Sequence, residues 1–410
     1  MSPDSQVLPD LRFLHGALVR TTEVLAVELG RAGSATPDWS AQEWRVARAA
    51  AAIHGVSGLL CAGVTWQGPE DWQAFIAGQR LQVATRIPRI LQLLARIDSG
   101  MRAAAIGCVA LKGAALHSLG IYTPGERPMA DLDLLVPEET AARVSAVLEA
   151  NGFHAGIVTG RHQTFLPVDA NKSPVQLGED AGTDIKIEVH GGISEALPLR
   201  SVDISGLVTP RDLHPGVNPY PTRAALLLHI LLHASGSMVN RALRLLHLND
   251  IHRLTRTMNS ADWEAVFACA AEAKHSSLWW AYPPLALTQR YFGGIPVPVL
   301  ERMAFDAPRL LRRLCRRQTL SQVSHSHLWV SAVPGIEWSR SPSEMFAYAL
   351  RRTIPSRQTL SLRTALAEAQ PGIDGGEWAH TSQGRRVLRW LVARQPRQAT
   401  LQSLYAALLH

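Results

Sequence analysis

The sequence predicts an α+β protein, mostly helical, in which a small α/β core is flanked by helical regions. Three patterns carry that reading. Apolar residues recur at helical spacing through residues 8–100, two short runs at 131–136 and 183–190 alternate with period two, and from Thr222 helical spacing returns and holds to the end of the chain. At 410 residues the chain is too long for one compact core and suits two or three domains. With 47% hydrophobic and 18% charged residues, composition excludes disorder, collagen-like structure and coiled coil.

Each element follows from a local signal. Leu11–Leu29 reads as a helix, and Ser40 is a candidate cap for a second over Trp44–Leu60. Ile76–Ile97 is a third, with a kink expected at Pro88 and an end near Asp98-Ser99-Gly100. The apolar run 103–110 suits a buried strand ended by Lys112-Gly113, with a helix starting at Ala114. Pro124-Gly125 and Pro128 make 120–128 a loop. In 131–136 the residues Leu132, Leu134 and Val136 face a core, while Asp131, Asp133 and Leu135 face the other way. Pro137 stops this strand, and Glu138–Glu149 is an amphipathic helix ending at Asn151-Gly152. Residues 153–169 suit a strand pair. In 183–190, Ile185, Ile187 and Val189 are the buried set, and Asp184, Lys186, Glu188 and His190 share the opposite face. Helices are expected over 222–257, 261–274, 276–292, 299–318 and 342–353. The Pro-, Gly- and Ser-rich stretches 331–345 and 370–384 read as linkers.

Charge is unevenly placed. The net +7 belongs to the C-terminal quarter, where residues 301–410 hold 16 Arg and 7 acidic residues, and the first 300 residues are slightly acidic. A uniform nucleic-acid-binding surface is therefore not expected. Only four basic residues are lysine (Lys112, Lys172, Lys186 and Lys274). Arg385, Arg386, Arg389 and Arg394 surround Leu388, Trp390 and Leu391 in a basic amphipathic segment. It suits packing on the body with Arg in water, or else a membrane surface. Cys61, Cys108, Cys269 and Cys315 form no close pair, so no disulfide framework or Cys-type zinc site is expected. The N-terminus lacks a basic and an apolar region, and the strongest apolar stretch, 224–234, is interrupted by His229 and His233. The expectation is a cytoplasmic protein with no transmembrane segment.

Asp131 and Asp133, two residues apart on a strand, project from one face. Carboxylates so placed hold a divalent cation, and Mg²⁺ binds through a few carboxylates together with substrate phosphates. A third carboxylate on a neighbouring strand would complete a two-metal site for nucleotidyl transfer. Glu188 fits that role as metal ligand or general base, with Asp184 the substitute if the register differs. Alone, an Asp-x-Asp on a half-exposed strand simply faces water. His229 and His233, four apart, share a helix face, where they suit a cleft lining or a buried hydrogen-bonded pair better than zinc.

The stretch LKGAALHSLGIYTPGERPMADLDLLVPEE resembles the nucleotidyltransferase superfamily that includes DNA polymerase beta, and within it a bacterial family of uncharacterised nucleotidyltransferases. The positions that carry the resemblance are Lys112, Gly113, Tyr122, Arg127, Asp131 and Asp133. Ile187-Glu188-Val189-His190 is similar to the family's Val-Glu-x-His strand, and His229, His233, Arg244, Asp250 and Asp262-Trp263 to its second half. The likeness covers roughly residues 75–300. It departs from the superfamily in having Gly113-Ala114 at the phosphate turn and Met129 where Ser or Thr is common.

The resemblance implies a mixed-sheet, polymerase-beta-like nucleotidyltransferase core at 101–200. Around it lie a helical region at 1–100, a helical acceptor-side domain at 201–330 and an Arg-rich helical region at 331–410. It also implies transfer of NMP from an NTP, expected to be ATP, to a small-molecule or peptide acceptor with release of pyrophosphate. Asp131, Asp133 and Glu188 would hold Mg²⁺ or Mn²⁺. Lys112, Gly113, Arg127 and Lys186 would bind nucleotide, and His190, His229, His233 and Arg244 would line the acceptor cleft. Arg244 and Asp250 are expected as an ion pair or as cleft residues. A decayed nucleotide-binding protein and an RNA (tRNA) end-modifying enzyme are the alternatives.

Overall fold

The computed structural model describes residues 9–409 apart from 32, 34, 160–161, 170–175, 273–276, 355–384 and 386–393. Helix α1 (Leu11–Gly30) begins at Asp10, whose carboxylate accepts the N–H groups of Arg12 and Phe13. Helix α2 (Ala41–His54) begins at Ser40 in a reciprocal box with Glu43. The single helix expected over Trp44–Leu60 is in fact two. Gly55, at φ 66°, ends α2, and α3 (Ser57–Gly63) departs at 111° to it. A Cβ at Gly55 would also lie 2.5 Å from Arg244 Nη2, so the turn admits only glycine while that arginine lies against it. Helix α4 (Glu70–Ala103) outruns the expected Ile76–Ile97 and carries Pro88 in its interior. The first strand is correspondingly shorter than the apolar run 103–110.

The main sheet has six strands in the order β3-β4-β5-β2-β1-β8: β1 (Gly107–Ala110), β2 (Asp131–Leu135), β3 (Phe153–Val158), β4 (His162–Pro167), β5 (Lys186–His190) and β8 (Gly216–Asn218). It is mixed: β2 runs parallel to β5 and β1 to β8, and the other pairs are antiparallel. Helices α5 (Gly113–Ser118) and α6 (Ala141–Ala150) follow β1 and β2. A separate hairpin, β6 (Ser194–Leu197) with β7 (Arg200–Asp203), and the short strand β8 carry too few alternating residues to stand out in the sequence.

Strand parity decides the two faces. Leu132, Leu134, Ile187, Val189 and Phe165 bury against Ile87, Ile90, Leu93 and Ile97 of α4 and Val144 and Leu148 of α6. Burial at this density supplies most of the core's stability, at about 25 cal/mol per Å² of apolar surface. The opposite face turns its polar residues toward α8 (Arg223–Val239) and α9 (Leu245–Thr255). The helix expected over 222–257 divides between them at Arg241, held at φ 55°. Then follow α10 (Ser260–Glu272), α11 (Tyr282–Tyr291), α12 (Val297–Phe305), α13 (Arg309–Cys315), α14 (Leu320–Val323), α15 (Pro342–Thr353) and α16 (Gln398–Leu409).

The first helices and the last share one core. Leu14, Leu18, Val46 and Ala50 pack in the same cluster as Leu404 and Leu408, and Thr22 and His54 both hydrogen-bond Ser326. No disulfide forms among the described residues. Of the two expected linkers, 331–345 holds a 3₁₀ turn (Ile336–Trp338) and the start of α15, and 370–384 lies outside the described residues. So does most of the basic amphipathic segment, including Arg386 and Arg389. No single helix among the described residues is long and apolar enough to cross a membrane. Only the bent pair α2–α3 passes by length and composition, and its apolar residues lie in the core.

Candidate active site

Two sheet pairings bring the acids together. In the parallel pairing of β2 with β5, Asp133 stands directly opposite Glu188 and Asp131 opposite Lys186. Both strands alternate, so Asp131, Asp133 and Glu188 project into the space under α8 and α9 and line one cavity of about 230 Å³ with Gly113, Arg244 and His247. Asp184 is outside this group, its backbone carbonyl accepting from Arg86. Lys186 is exposed and lines neither cavity described below.

Lys112 enters from the turn between β1 and α5. Its ammonium lies 3.1 Å from Asp133 Oδ1, and its N–H donates to the Tyr220 hydroxyl at 3.2 Å. The same Asp133 oxygen is 2.8 Å from His190 Nε2. Burial would raise the Asp133 pKa, but Lys112 and His190 outweigh it and hold the carboxyl well below the usual range. Asp131 shifts the other way, raised by burial and then by the Asp133 charge. Glu188 is pushed up to about 7, by burial first and then by Asp131 and Asp133. Burial works against the Lys112 ammonium, yet Asp133 and Asp131 raise its pKa overall. One acid is thus held ionised while two are held back by burial and then by like charge, and the three titrate as a set. Three carboxylates on two paired strands face one cavity, and among the described residues the Asp131 carboxylate makes no hydrogen bond or salt bridge; oxygen donors of this kind are the ones Mg²⁺ takes.

The remaining expected residues divide sharply. Arg127 is buried and bidentate on Asp250, its Nε and Nη2 each 2.8 Å from a carboxylate oxygen. The Tyr122 hydroxyl donates to Asp250 Oδ1 at 2.7 Å and accepts from Asn249. Asp250 therefore pairs with Arg127, not with Arg244, although all three line the cavity. Gly113 makes room for this: a Cβ there would lie 2.4 Å from Arg127 Nη1. Arg244 is held differently. Its Nε donates to the Ile53 carbonyl at the end of α2, its pKa is lowered by burial, and it forms no salt bridge among the described residues. The start of α5 offers few free N–H groups to a phosphate, since that helix has six residues and Ala114 N–H turns back to Leu111 O.

A second cavity, of about 150 Å³, lies beyond Glu188. It is lined by His162, His190, Ser194, Glu195 and His229, and Lys112, Glu188 and His233 line both cavities. The Tyr220 hydroxyl accepts from the Lys112 N–H and is hydrogen-bonded to His229 Nδ1 at 2.7 Å. Burial pushes His229 down to about 3, and His233 and His247, edge to face at 4.9 Å, are also pushed down, so all three are neutral.

Sequence reasoning missed His162, Tyr220, Glu195 and His247. His162 stands directly opposite His190 in the β4–β5 pairing, with Nε2 3.7 Å from Glu188 Oε2. The strand pair at 153–169 was legible, but its register against β5 was not, because alternation within each strand does not say which residues stand opposite.

A family model described as "Uncharacterised nucleotidyltransferase" matches residues 40–293, more than half of the chain and all of the residues placed in this site. No curated protein and no solved structure matches the chain.

Proposed function

The chain belongs to the uncharacterised nucleotidyltransferase family, and from that premise we propose that it transfers NMP from an NTP to a hydroxyl of a small-molecule or peptide acceptor. The acceptor oxygen attacks the α-phosphorus, the bond from that phosphorus to the bridging oxygen breaks, and pyrophosphate leaves. One observation carries the reading: Lys112 and Glu188 line both cavities, so a phosphate in one and an acceptor in the other would meet between them. Asp131, Asp133 and Glu188 would hold Mg²⁺ or Mn²⁺. The bound ion supplies charge stabilisation at the transferring phosphoryl group and acidifies a bound hydroxyl.

The chain's own groups have distinct tasks. Arg244, half-buried and without a carboxylate partner among the described residues, and Lys112 offer positive charge to the phosphates. Arg127 serves through Asp250, fixing the loop that carries Met129 and Ala130 into the cavity wall. The neutral His229 and His233 bound the acceptor side. Glu188 is either the third ligand or the base that takes the acceptor proton. Burial from water around this set strengthens each electrostatic contact.

The test is incubation with each labelled NTP, ATP first, with Mg²⁺ or Mn²⁺ and a cell extract, followed by identification of the labelled product and of pyrophosphate. Transfer that is lost in Asp131→Asn supports the proposal. NTP binding without pyrophosphate release overturns it in favour of a decayed nucleotide-binding protein. The Glu188→Gln variant separates its two roles: a rate loss that shrinks at higher pH marks a base, and a raised metal requirement marks a ligand.

A further inference from the structure

The acceptor-side cavity differs from the carboxylate side in its donor atoms. Mg²⁺ takes oxygen ligands, whereas imidazole suits zinc and its first-row neighbours. Here two imidazoles face one carboxylate. His162 Nε2 and His190 Nε2 lie 3.7 and 3.9 Å from Glu188 Oε2, and His190 Nε2 is 2.8 Å from Asp133 Oδ1. One ligand atom from each of His162, Glu188 and His190 lies within 4.8 Å of the others. Two atoms bound to one ion at about 2.1 Å stand roughly 3.0–3.6 Å apart for angles of about 90–120°. The two separations from Glu188, 3.7 and 3.9 Å, lie just above that range, so binding an ion would draw the three ligands inward by small side-chain adjustments.

The backbone supports the same arrangement. His162 and His190 are direct partners across β4 and β5, and Glu188 is two residues before His190 on the same face. The three side chains therefore spring from a hydrogen-bonded pair of strands, and their ring centroids, 5.2 Å apart, are set by register rather than by a loop. The wall opposite is formed by Ser194, Glu195 and His229, leaving a side open to a further ligand. Three protein ligands with an open position is the pattern of a reactive rather than a structural zinc site.

We propose that His162, His190 and Glu188, with Asp133 at the edge, bind a divalent transition ion of the zinc type next to the Asp131–Asp133 pair. This goes beyond nucleotidyl transfer, and it makes the cleft asymmetric. An oxygen-ligated ion would belong with the nucleotide and a nitrogen-ligated ion with the acceptor.

The experiment uses the full chain, stripped with chelator, and no nucleotide. Titration with Co²⁺ should give a visible ligand-field band at one equivalent, and Zn²⁺ should displace it. His162→Gln and His190→Gln should each weaken Zn²⁺ binding about 10-fold or more, while Asp131→Asn keeps the band. X-ray absorption of the wild-type zinc protein reads imidazole donors without any substitution, so a misfolded variant does not block the test. A zinc shell without imidazole, no stoichiometric binding, or wild-type affinity in both histidine variants overturns the proposal. Pyrophosphate release with Mg²⁺ is assayed separately, so that loss of the metal site and loss of the transfer reading are told apart.

Discussion

Two cation–carboxylate pairs lie in the same cavity wall and do opposite things. Arg127 and Asp250 meet through two bonds of 2.8 Å, and Tyr122 and Asn249 extend the pair into a network in which both carboxylate oxygens are engaged. Lys112 and Asp133 meet through one bond of 3.1 Å, and His190 falls on the same oxygen. Beside them stand Asp131 and Glu188, both with raised pKa. The first group spends its bonding capacity internally and holds α9 against the loop before β2. The second leaves the Asp131 carboxylate facing the cavity with no hydrogen bond among the described residues. A closed polar network indicates structure, and an open one indicates a place for a ligand.

That contrast can be broken in four ways. The largest effect is expected from Asp131→Asn, which should lower transfer on the order of 10³-fold. It should leave the melting temperature unchanged or raised, because it removes like charge from Asp133 and Glu188. Parallel assays of pyrophosphate release and thermal unfolding check this, and near-wild-type turnover would remove Asp131 from the site. Asp250→Asn should do the reverse. Breaking a buried pair costs about 3–5 kcal/mol, read as a lower denaturation midpoint, with the folded fraction still active.

Lys112→Ala should weaken NTP binding by about 10-fold, the scale of one charge-assisted hydrogen bond, against less than about 2-fold for the exposed Lys186→Ala. Equal effects in a binding titration would erase the difference between the two lysines. Lys172 and Lys274, the other two, lie outside the described residues. The smallest effect is a pH dependence in metal-free protein. Folding raises the Glu188 pKa from 4.5 to about 7, so the native state binds more protons than the unfolded state between those values. The stability tied to that proton is complete below about pH 4.5 and is lost as pH rises through about 7. The gain in melting temperature from Glu188→Gln should therefore be near zero at low pH and grow to a plateau above neutrality. A pH-independent gain would show that Glu188 ionises normally.

Much of this was legible from local pattern. Period-two alternation placed Asp131, Asp133 and Glu188 away from the α4 side, and Ser40 announced α2. What escaped was set by distance. The Asp250 partner depends on how α9 lies over the loop at 120–128, a matter of packing between residues 123 positions apart. His162 depends on register across an intervening segment, and β8 has only three residues, too few to show a period. The break at Gly55 was missed because helical periodicity in α2 and α3 continues across the turn, although a glycine free to take φ 66° is what ends α2 there.

The backbone at Lys112 has a consequence for anyone improving the protein by heat. At φ 47° and ψ −107° it occupies ground that glycine takes freely and a side chain takes only under strain, on the order of 1–3 kcal/mol. The Tyr220 hydroxyl on its N–H pins it there. Lys112→Gly would relieve that strain but leave the buried Asp133 carboxylate without its ammonium, and stripping one partner from such a pair costs about 3–5 kcal/mol. A library screened for survival at high temperature would therefore keep the lysine and its strained backbone together, because the charge outweighs the strain.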